Sequence, residues 1–587
     1  MRSGIHIILY GMLAFFMAPR QGISQGLIIP SGGYVIANTG NIVLQNNWVN
    51  NGSFTHNGGT VIFGGTVQTL GGSSPSTFIN LTIAAGSNTT IVSPGQMISG
   101  ILLSNDTLNA NGNLTLLSTA TQTALIQGSG TGEVLGNLTM QRYLDTSFGY
   151  KYFSSPFQSD TVGNFSSVVN LGASFPDVYG YNENLASAGW VNYTTSSGLL
   201  IPLAGYAVNF GSSFAPLTVS LTGVVNNHTL SSTLYNHNQV YTLGFNLAGN
   251  PYPSPVDWNS ATGWTKTNID NALYFFNAGN TNQYTGTYSS YINGVSSDGI
   301  ASNIIAAMQG FFIHVSNGAY PVIGLLSVNN NARNTSSNVI FLGTPGTPAP
   351  LPLLRLSAGF VDEGLPSDPV VVYFNEDATG TFDKTLDALK LMNTHTGVPN
   401  LYAVATDTNR LSIRALSYSG TGIQVVPLGL MTAQDGWVTI QVRDIQGMPA
   451  ALHIYLSDTQ AGVDQDLTRD PSYRLYLAKG EYENRFFLKF SPNPLTDTSA
   501  AVGGGANGAF QAYSADGRVV IKSNLPAGEK GNLTILDMSG RIIYREQISD
   551  NNYHVINMTP VAAGVYVVNF ATSHEIQAIK IFIAEQP

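Results

Sequence analysis

Short β-forming runs recur about every twenty residues between positions 26 and 140, and few folds are open to a chain patterned in this way. The runs are Asn41-Ile-Val-Leu-Gln45, Thr60-Val-Ile-Phe63, Phe78-Ile-Asn-Leu-Thr-Ile83, Ile101-Leu-Leu103 and Asn113-Leu-Thr-Leu-Leu117, each bounded by Asn and Gly, and no helical period runs through them. A strand this short cannot bury an apolar face alone. A fixed spacing lets the apolar positions of one rung stack on the next while Asn side chains line the turns. The spacing therefore predicts a β-solenoid-like segment over residues 25–140, with a flat β-sandwich as the alternative. A catalytic solenoid of the polysaccharide-lyase kind needs clustered carboxylates and a basic proton acceptor. The segment carries only Asp106 and Glu133 as charged residues, plus His56, which argues against that chemistry.

The rest of the composition points the same way. Of 587 residues, 10% are charged, against about 25% in ordinary domains, and 63 are glycine, which suits turn-rich β structure in several domains. There is no cysteine, so disulfides, thiolate metal sites and a cysteine nucleophile are excluded. A formal net charge of −10 without a basic block argues against nucleic acid or an anionic membrane as partner. Residues 1–24 read as a secretory signal peptide: Arg2, an apolar run from Ile7 to Ala18, and Gly22 and Ser24 ahead of a cut before Gln25. No later segment has the roughly 20 uninterrupted apolar residues of a membrane helix, so no transmembrane segment is expected in the mature chain.

Residues 141–342 are expected to hold one β unit twice, over about 141–235 and 236–342. Pro156 matches Pro251 and Tyr179 matches Tyr274, both at a separation of 95, whereas Gly205 matches Gly310 at 105. The second copy thus carries extra residues, placed around a Tyr-rich loop from Tyr284 to Tyr291. Stacked aromatic rings hold sugars in many β modules, which makes Trp258, Tyr284, Tyr288 and Tyr291, with Tyr252 and Trp264, candidate glycan contacts. The competing reading buries Tyr252 and Trp258 in a core, where large aromatic area stabilises.

A breaker-rich linker at 343–352 leads into residues 353–490, which hold close to half of the chain's charged residues. Runs such as Val370-Val-Val-Tyr-Phe374 and Trp437-Val-Thr-Ile-Gln-Val442 predict an antiparallel β-sandwich with one helical turn near Lys384 to Leu391. Two acidic loops, one with Asn375, Asp377, Asp383 and Asp387 and one with Asp458, Asp464, Asp466 and Asp470, are candidate calcium sites, since that ion takes six to eight oxygen ligands. Neither has EF-hand spacing, and solvated turns and strand-end caps are the competing reading. No other cofactor is implied. No nucleophile elbow, phosphate loop or H-E-x-x-H motif is present, so the chain is not expected to be an enzyme.

After a linker at 491–504, residues 505–587 read as a last all-β unit. Asp537-Met-Ser-Gly-Arg541 marks a hairpin, and Ala563-Gly-Val-Tyr-Val-Val568 and Ile579-Lys-Ile581 are extended runs. Gly540 and Gly564 are expected at turns that need a positive φ. These residues resemble the type A C-terminal sorting domain of the type IX secretion system. The resemblance implies an immunoglobulin-like β-sandwich that acts as an address, with Asp537, Gly540, Arg541, Gly564, Tyr566 and Lys580 as its signature. It also implies engagement of the type IX machinery and passage through the periplasm to the outer-membrane surface or the outside of a Gram-negative cell. The chain is therefore expected to be an all-β, multidomain, secreted cell-surface protein of the structural or adhesin-like class, with a solenoid-like segment, β-sandwich domains and a sorting domain. The alternatives are a glycan-binding surface protein using its Tyr and Trp residues and, third, a glycan hydrolase built on carboxylates of residues 353–490. Partners beyond the secretion machinery would be a surface glycan or a host or environmental ligand.

Overall fold

The computed structural model describes residues 26–173, 177–339, 341, 351–361, 366–495, 510–515, 518–523, 525, 529–549, 553–558, 562–573 and 576–583. The signal-peptide segment and most of both linkers lie outside the described residues. Among the described residues the chain is all-β and contains no α-helix. It divides into two compact units, Met1–Pro350 with Phe382–His395 and Ser412–Arg414, and Leu351–Thr381 with Thr396–Leu411 and Ala415–Pro587.

The first unit opens with a β-solenoid-like stack that has three faces. One face is the parallel series Leu27–Ile29, Trp48–Asn50, Val67–Gly71, Asn88–Ile91, Leu108–Asn109 and Val134–Leu135; a second is Asn41–Leu44, Thr60–Phe63, Asn80–Ile83, Ile101–Ser104 and Leu125–Ile126. The third starts with Tyr34–Ala37 paired to Ser53–His56 and continues through Ser76–Phe78, Gln96–Ile98, Leu114–Leu116 and Leu138–Leu144. Like residues sit over like: Val61 pairs with Leu81, and Leu81 with Leu102. Their side chains are buried in one continuous core with Trp48, Phe63 and Phe78. The turns are held by neutral amides. Asn80 Nδ2 donates to the Gly59 carbonyl at 3.1 Å and its Oδ1 accepts from the Ile101 N–H at 3.0 Å, while Gln68 Oε1 accepts from the Gly65 N–H at 2.7 Å. Gly72 needs its lack of a side chain, because with φ at 125° a Cβ would lie 2.0 Å from the Asn50 carbonyl oxygen.

The stack ends where Leu138–Leu144 accepts an antiparallel partner, Leu217–Gly223, in place of another parallel rung. Two sets of strands follow with one connectivity. The first sheet runs Tyr150–Phe153, Tyr206–Asn209, Val178–Tyr181, Trp190–Asn192, and the second Phe245–Gly249, Gly310–His314, Leu273–Ala278, Gly286–Ile292, Val295–Ser296. Each set adds a two-stranded ribbon, Asp160–Thr161 with Leu199–Leu200 and Val256–Asp257 with Ile304–Ile305. The sets also join reciprocally. Phe153 bridges to Gln309 and Ala248 to Ala204, and the Ser154 N–H donates to the Met308 carbonyl at 3.0 Å as the Gly249 N–H does to Leu203 at 2.9 Å. Leu203 and Met308 share a left-handed backbone, with φ of 66° and 63°. The stretch expected as a Tyr-rich loop is in fact the strand Gly286–Ile292, paired along its length to Leu273–Ala278, because Thr, Tyr and Ile favour a pleated, half-buried surface.

In the second unit one sheet runs in the order Val463–Asp466, His453–Asp458, Gly480–Ser491, Gln424–Thr432, Asn400–Val404, Arg410–Leu416, Asp368–Phe374, Leu353–Phe360, Gly436–Gln446, Ser472–Leu477. The helical turn expected near Lys384, in a segment that belongs to the first unit, is one turn closed by the Asp387 N–H on the Asp383 carbonyl at 2.7 Å, followed at once by the strand Ala388–Leu389. The C-terminal residues build a three-stranded sheet, Phe510–Ala515, Arg518–Ser523 and Tyr553–Asn557, and a four-stranded one in the order Ile542–Ile548, Gly531–Asp537, Gly564–Ala571, Ile576–Ile583. Phe510, Val519, Ile535, Val568 and Phe570 share a core drawn from both sheets.

Phe78 is fully buried beside Trp48 and Phe54. Phe78→Ala leaves a cavity that costs about 3–5 kcal/mol. Hydrogen-exchange mass spectrometry should show lost protection in the neighbouring strands Trp48–Asn50 and Thr60–Phe63; unchanged protection there would contradict a stacked core.

Candidate functional site

The second strand set carries an open cleft of about 670 Å³ around Trp258, Trp264, Lys266, Asn271, Tyr291 and Asn303. Two tryptophans line it, Trp258 directly after the ribbon strand Val256–Asp257 and Trp264 at the start of the strand Trp264–Thr267, which pairs with Val322–Val328. The rings meet edge to face with centroids 4.8 Å apart, Trp264 Nε1 donates to the Asp257 carbonyl at 2.8 Å, and Trp258 Nε1 to the Asn271 carbonyl at 2.9 Å. Trp258 is only 1% exposed, and Lys266 Nζ lies 4.1 Å above its ring centroid. The aromatic face is therefore already covered by a cation. What the cleft presents is polar.

Lys266 Nζ donates to Asn271 Oδ1 at 2.6 Å and more weakly to the Trp258 carbonyl at 3.4 Å, and Asn271 Nδ2 donates to Asn293 Oδ1 at 2.7 Å. Burial lowers the Lys266 ammonium to about 8, against the upward pull of Asp257. Among the described residues no carboxylate lies within ion-pair distance of it. The nearby Asp257 Oδ1 instead accepts from the Asn259 N–H at 2.9 Å and Asn303 Nδ2 at 2.6 Å. On the other wall, the Tyr291 hydroxyl accepts from Asn259 Nδ2 and the Gly294 N–H, both at 2.8 Å. Asn293 and Gly294 take φ of 46° and 89°, the paired positive values of a two-residue hairpin turn, and so hold the amides at the rim.

Of the candidate glycan contacts, Trp258 and Tyr291 come together here with Trp264. Tyr288 does not join them: it is buried, with its hydroxyl 2.9 Å from that of Tyr152. Tyr284 is half exposed near Tyr150, and Tyr252 is a core residue stacked under Arg333. Sequence reasoning missed Lys266, Asn271, Asn293 and Asn303. The dipeptide Asn293-Gly294 was the available signal, since it marks a hairpin turn next to an aromatic run.

The acids proposed for calcium find other partners. Asp387 is fully buried against Arg414 Nη1 at 2.8 Å, and Asp383 Oδ1 accepts from the Thr385 N–H and hydroxyl. Asp464 pairs with Lys489 Nζ at 2.8 Å, Asp466 takes the Thr468 N–H and hydroxyl, Asp470 caps Ser472, and Asp377 sits in an exposed turn. Asp458 receives Arg485 Nε and Nη2 and the Tyr473 hydroxyl. Among the described residues no three His, Asp or Glu side chains gather as a metal site would require.

At the C-terminal motif, Asp537 closes its own hairpin. Its Oδ1 accepts from the Ser539 N–H and hydroxyl and the Arg541 N–H, its Oδ2 from Arg541 Nε at 3.0 Å, and these bonds, led by the Ser539 hydroxyl, hold its carboxyl near 2. Gly540 takes φ of 84°. Gly564 corrects the expectation placed on it, since it opens the strand Gly564–Ala571 without a positive φ and a Cβ there would meet nothing within 4 Å. Tyr566 is buried, with its hydroxyl on the Ala562 carbonyl, and Lys580 is exposed.

A family model described as a domain of unknown function (DUF8693) matches residues 37–490, and one described as a secretion system C-terminal sorting domain matches residues 513–584. The second match supports the expectation of a type IX sorted protein. A solved structure described as "Biofilm associated protein - BSP domain" is similar at 11% identity over 76% of this chain and 92% of that one, with a TM-score of 0.14, at which the likeness carries no argument. No curated protein matches the chain. No helix among the described residues is long and apolar enough to cross a membrane, which leaves β-barrels untested.

Two outcomes follow from these geometries. Asp387→Asn removes the buried ion pair with Arg414 and should destabilise by about 3–5 kcal/mol, whereas a chelator should leave the melting midpoint of the full chain unchanged; a drop with chelator would restore a metal to these loops. Gly540→Val should lower the melting temperature of the C-terminal unit, while Gly564→Val should leave it unchanged in calorimetry; equal losses would refute the distinction in backbone.

Proposed function

The chain belongs to the family of the domain of unknown function DUF8693 through residues 37–490 and closes on a secretion sorting domain, and from this premise we propose a cell-surface structural or adhesin-like protein without enzymatic activity. The observation that carries the reading is the core of the C-terminal residues, where among the described residues Phe510, Ile535, Val568 and Ile581 cluster with one another. A unit with its own core can fold and be read as an address whatever precedes it. In this reading its two sheets form an immunoglobulin-like sandwich that passes through the periplasm and engages the type IX machinery, and the sheet over residues 353–490 is the body of a sandwich domain. The two strand sets within 141–342 are copies of one unit, supported by their shared strand order and their 95- and 105-residue offsets. The solenoid-like stack then serves as a stiff spacer.

A second reading, glycan binding, is favoured by the convergence of Trp258, Trp264 and Tyr291 with four asparagines in one cleft. Export is tested with a fluorescent passenger fused to residues 505–587 in cells with a working type IX system. Surface or medium fluorescence is expected. A passenger confined to the periplasm would overturn the sorting role.

A further inference from the structure

The cleft beside Trp258 lies in the second strand set. By the register of the two ribbons Trp258 and Asn303 correspond to Val162 and Gly198 of the first set: the Trp258 N–H donates to the Asn303 carbonyl as the Val162 N–H does to that of Gly198, each at 2.8 Å. There Tyr193 occupies the space: a Cβ on Gly198 would lie 2.3 Å from its ring. The offset grows between the strand pair Val178–Tyr181 and Leu273–Ala278 and the ribbon pair Leu199–Leu200 and Ile304–Ile305. The extra ten or so residues of the second set thus fall in the stretch that supplies Tyr291, Asn293 and Gly294 to the cleft wall. The same framework is closed by an aromatic ring in one set and opened by an insertion in the other. Packing alone does not require the opening.

The chemistry left open to solvent is specific. Two of the three Lys266 protons go to Asn271 Oδ1 and the Trp258 carbonyl, and its charge has no carboxylate partner among the described residues. No protein donor among the described residues reaches the side-chain carbonyl oxygens of Asn259 and Asn303, although both residues line the cleft. One ammonium amid neutral amides matches a ligand with one carboxylate and several hydroxyls, and the polar walls offer no apolar socket for a peptide side chain. We propose that this cleft binds an acidic sugar of the uronic-acid class, with Lys266 on the carboxylate and Asn259 and Asn303 accepting from ring hydroxyls. The proposal rests on the glycan-binding reading and deepens it.

The test is calorimetric titration of the full mature chain with uronic-acid hexasaccharides from a panel of linkages, with the same hexasaccharides after carboxyl reduction, and with hexa-aspartate. Wild type should bind at least one acidic oligosaccharide about tenfold or more tighter than its reduced form, since one charge-assisted contact is worth about 1.5–3 kcal/mol. Lys266→Met, which keeps the stem over Trp258, should erase that preference while leaving affinity for the reduced sugar in place. Asn303→Ala should weaken both forms together. Equal binding of acidic and reduced sugars overturns the role of Lys266 and leaves glycan binding standing; binding of neither overturns both. Hexa-aspartate binding as tight as the sugar would show that the cleft reads charge alone and would also overturn the proposal.

Discussion

Parallel, in-register stacking has no natural end, and the first half of the molecule is arranged around that constraint. Each rung leaves a row of unpaired backbone donors and acceptors for the next, a liability that an edge strand must cover. Leu138–Leu144 resolves it by running out of the solenoid and taking Leu217–Gly223 as an antiparallel partner. The last turns are tied down by backbone as well: the Ile126 N–H donates to the Pro253 carbonyl and the Thr123 N–H to that of Ser337, each within 3 Å. Arg142, 1% exposed, donates to Thr123 Oγ1 and the Val339 carbonyl there. The strand sets are therefore also the lid of the stack.

Scarcity of charge is met by neutral amides used as backbone partners. Asn250 is fully buried, yet its Nδ2 donates to the Ser254 and Ala306 carbonyls and its Oδ1 accepts from the Tyr252 N–H. Asn236 does the same for the Val315 carbonyl. An amide with all its bonds made costs far less to bury than an ion. Some buried ions are matched, as Asp270 is with His314 at 2.5 Å and the Ser316 hydroxyl at 2.6 Å, while the buried Arg142 and Lys151 donate to neutral oxygens. Lys266 is of this second kind but faces an open cleft, a lysine held by amides and an indole in place of a carboxylate.

Much of this was legible in the sequence, and the limits have physical causes. The solenoid-like stack could be read because its periodicity is one-dimensional: Val61, Leu81 and Leu102 recur at nearly constant spacing and occupy one ladder. Pro156 and Pro251 each follow the first strand of their sheet, Tyr150–Phe153 and Phe245–Gly249. The cleft was half legible. Trp258 and Tyr291 were in view as aromatics, but Lys266 in the strand Trp264–Thr267 and Asn303 just ahead of Ile304–Ile305 line one cleft through a tertiary arrangement that no local pattern encodes. The Tyr-rich stretch misled because aromatics and serines in alternation fit a buried strand as well as an exposed loop; Tyr288, paired with Tyr152 across the two sets, shows which environment won. In the acidic loops composition shows the acids but not the arginines, Arg414 and Arg485, that come from distant strands to Asp387 and Asp458.

The C-terminal motif shows how a sequence signature can be spent on its own turn. Asp537 uses both carboxylate oxygens on Ser539 and Arg541, all within four residues, and Gly540 is there because the turn needs its φ. A carboxylate so engaged has little left to offer a receptor. The unit also exposes Met538 and Arg541 on the turn itself, Lys580 and Ile576 on the edge strand Ile576–Ile583 and Val565 on its neighbour. The motif therefore acts by fixing the hairpin between Gly531–Asp537 and Ile542–Ile548, and the hairpin in turn sets the sheet whose outer face and edge are available to a partner. An address built this way is a folded surface, which is why it needs the separate core that Phe510, Val519 and Phe570 provide.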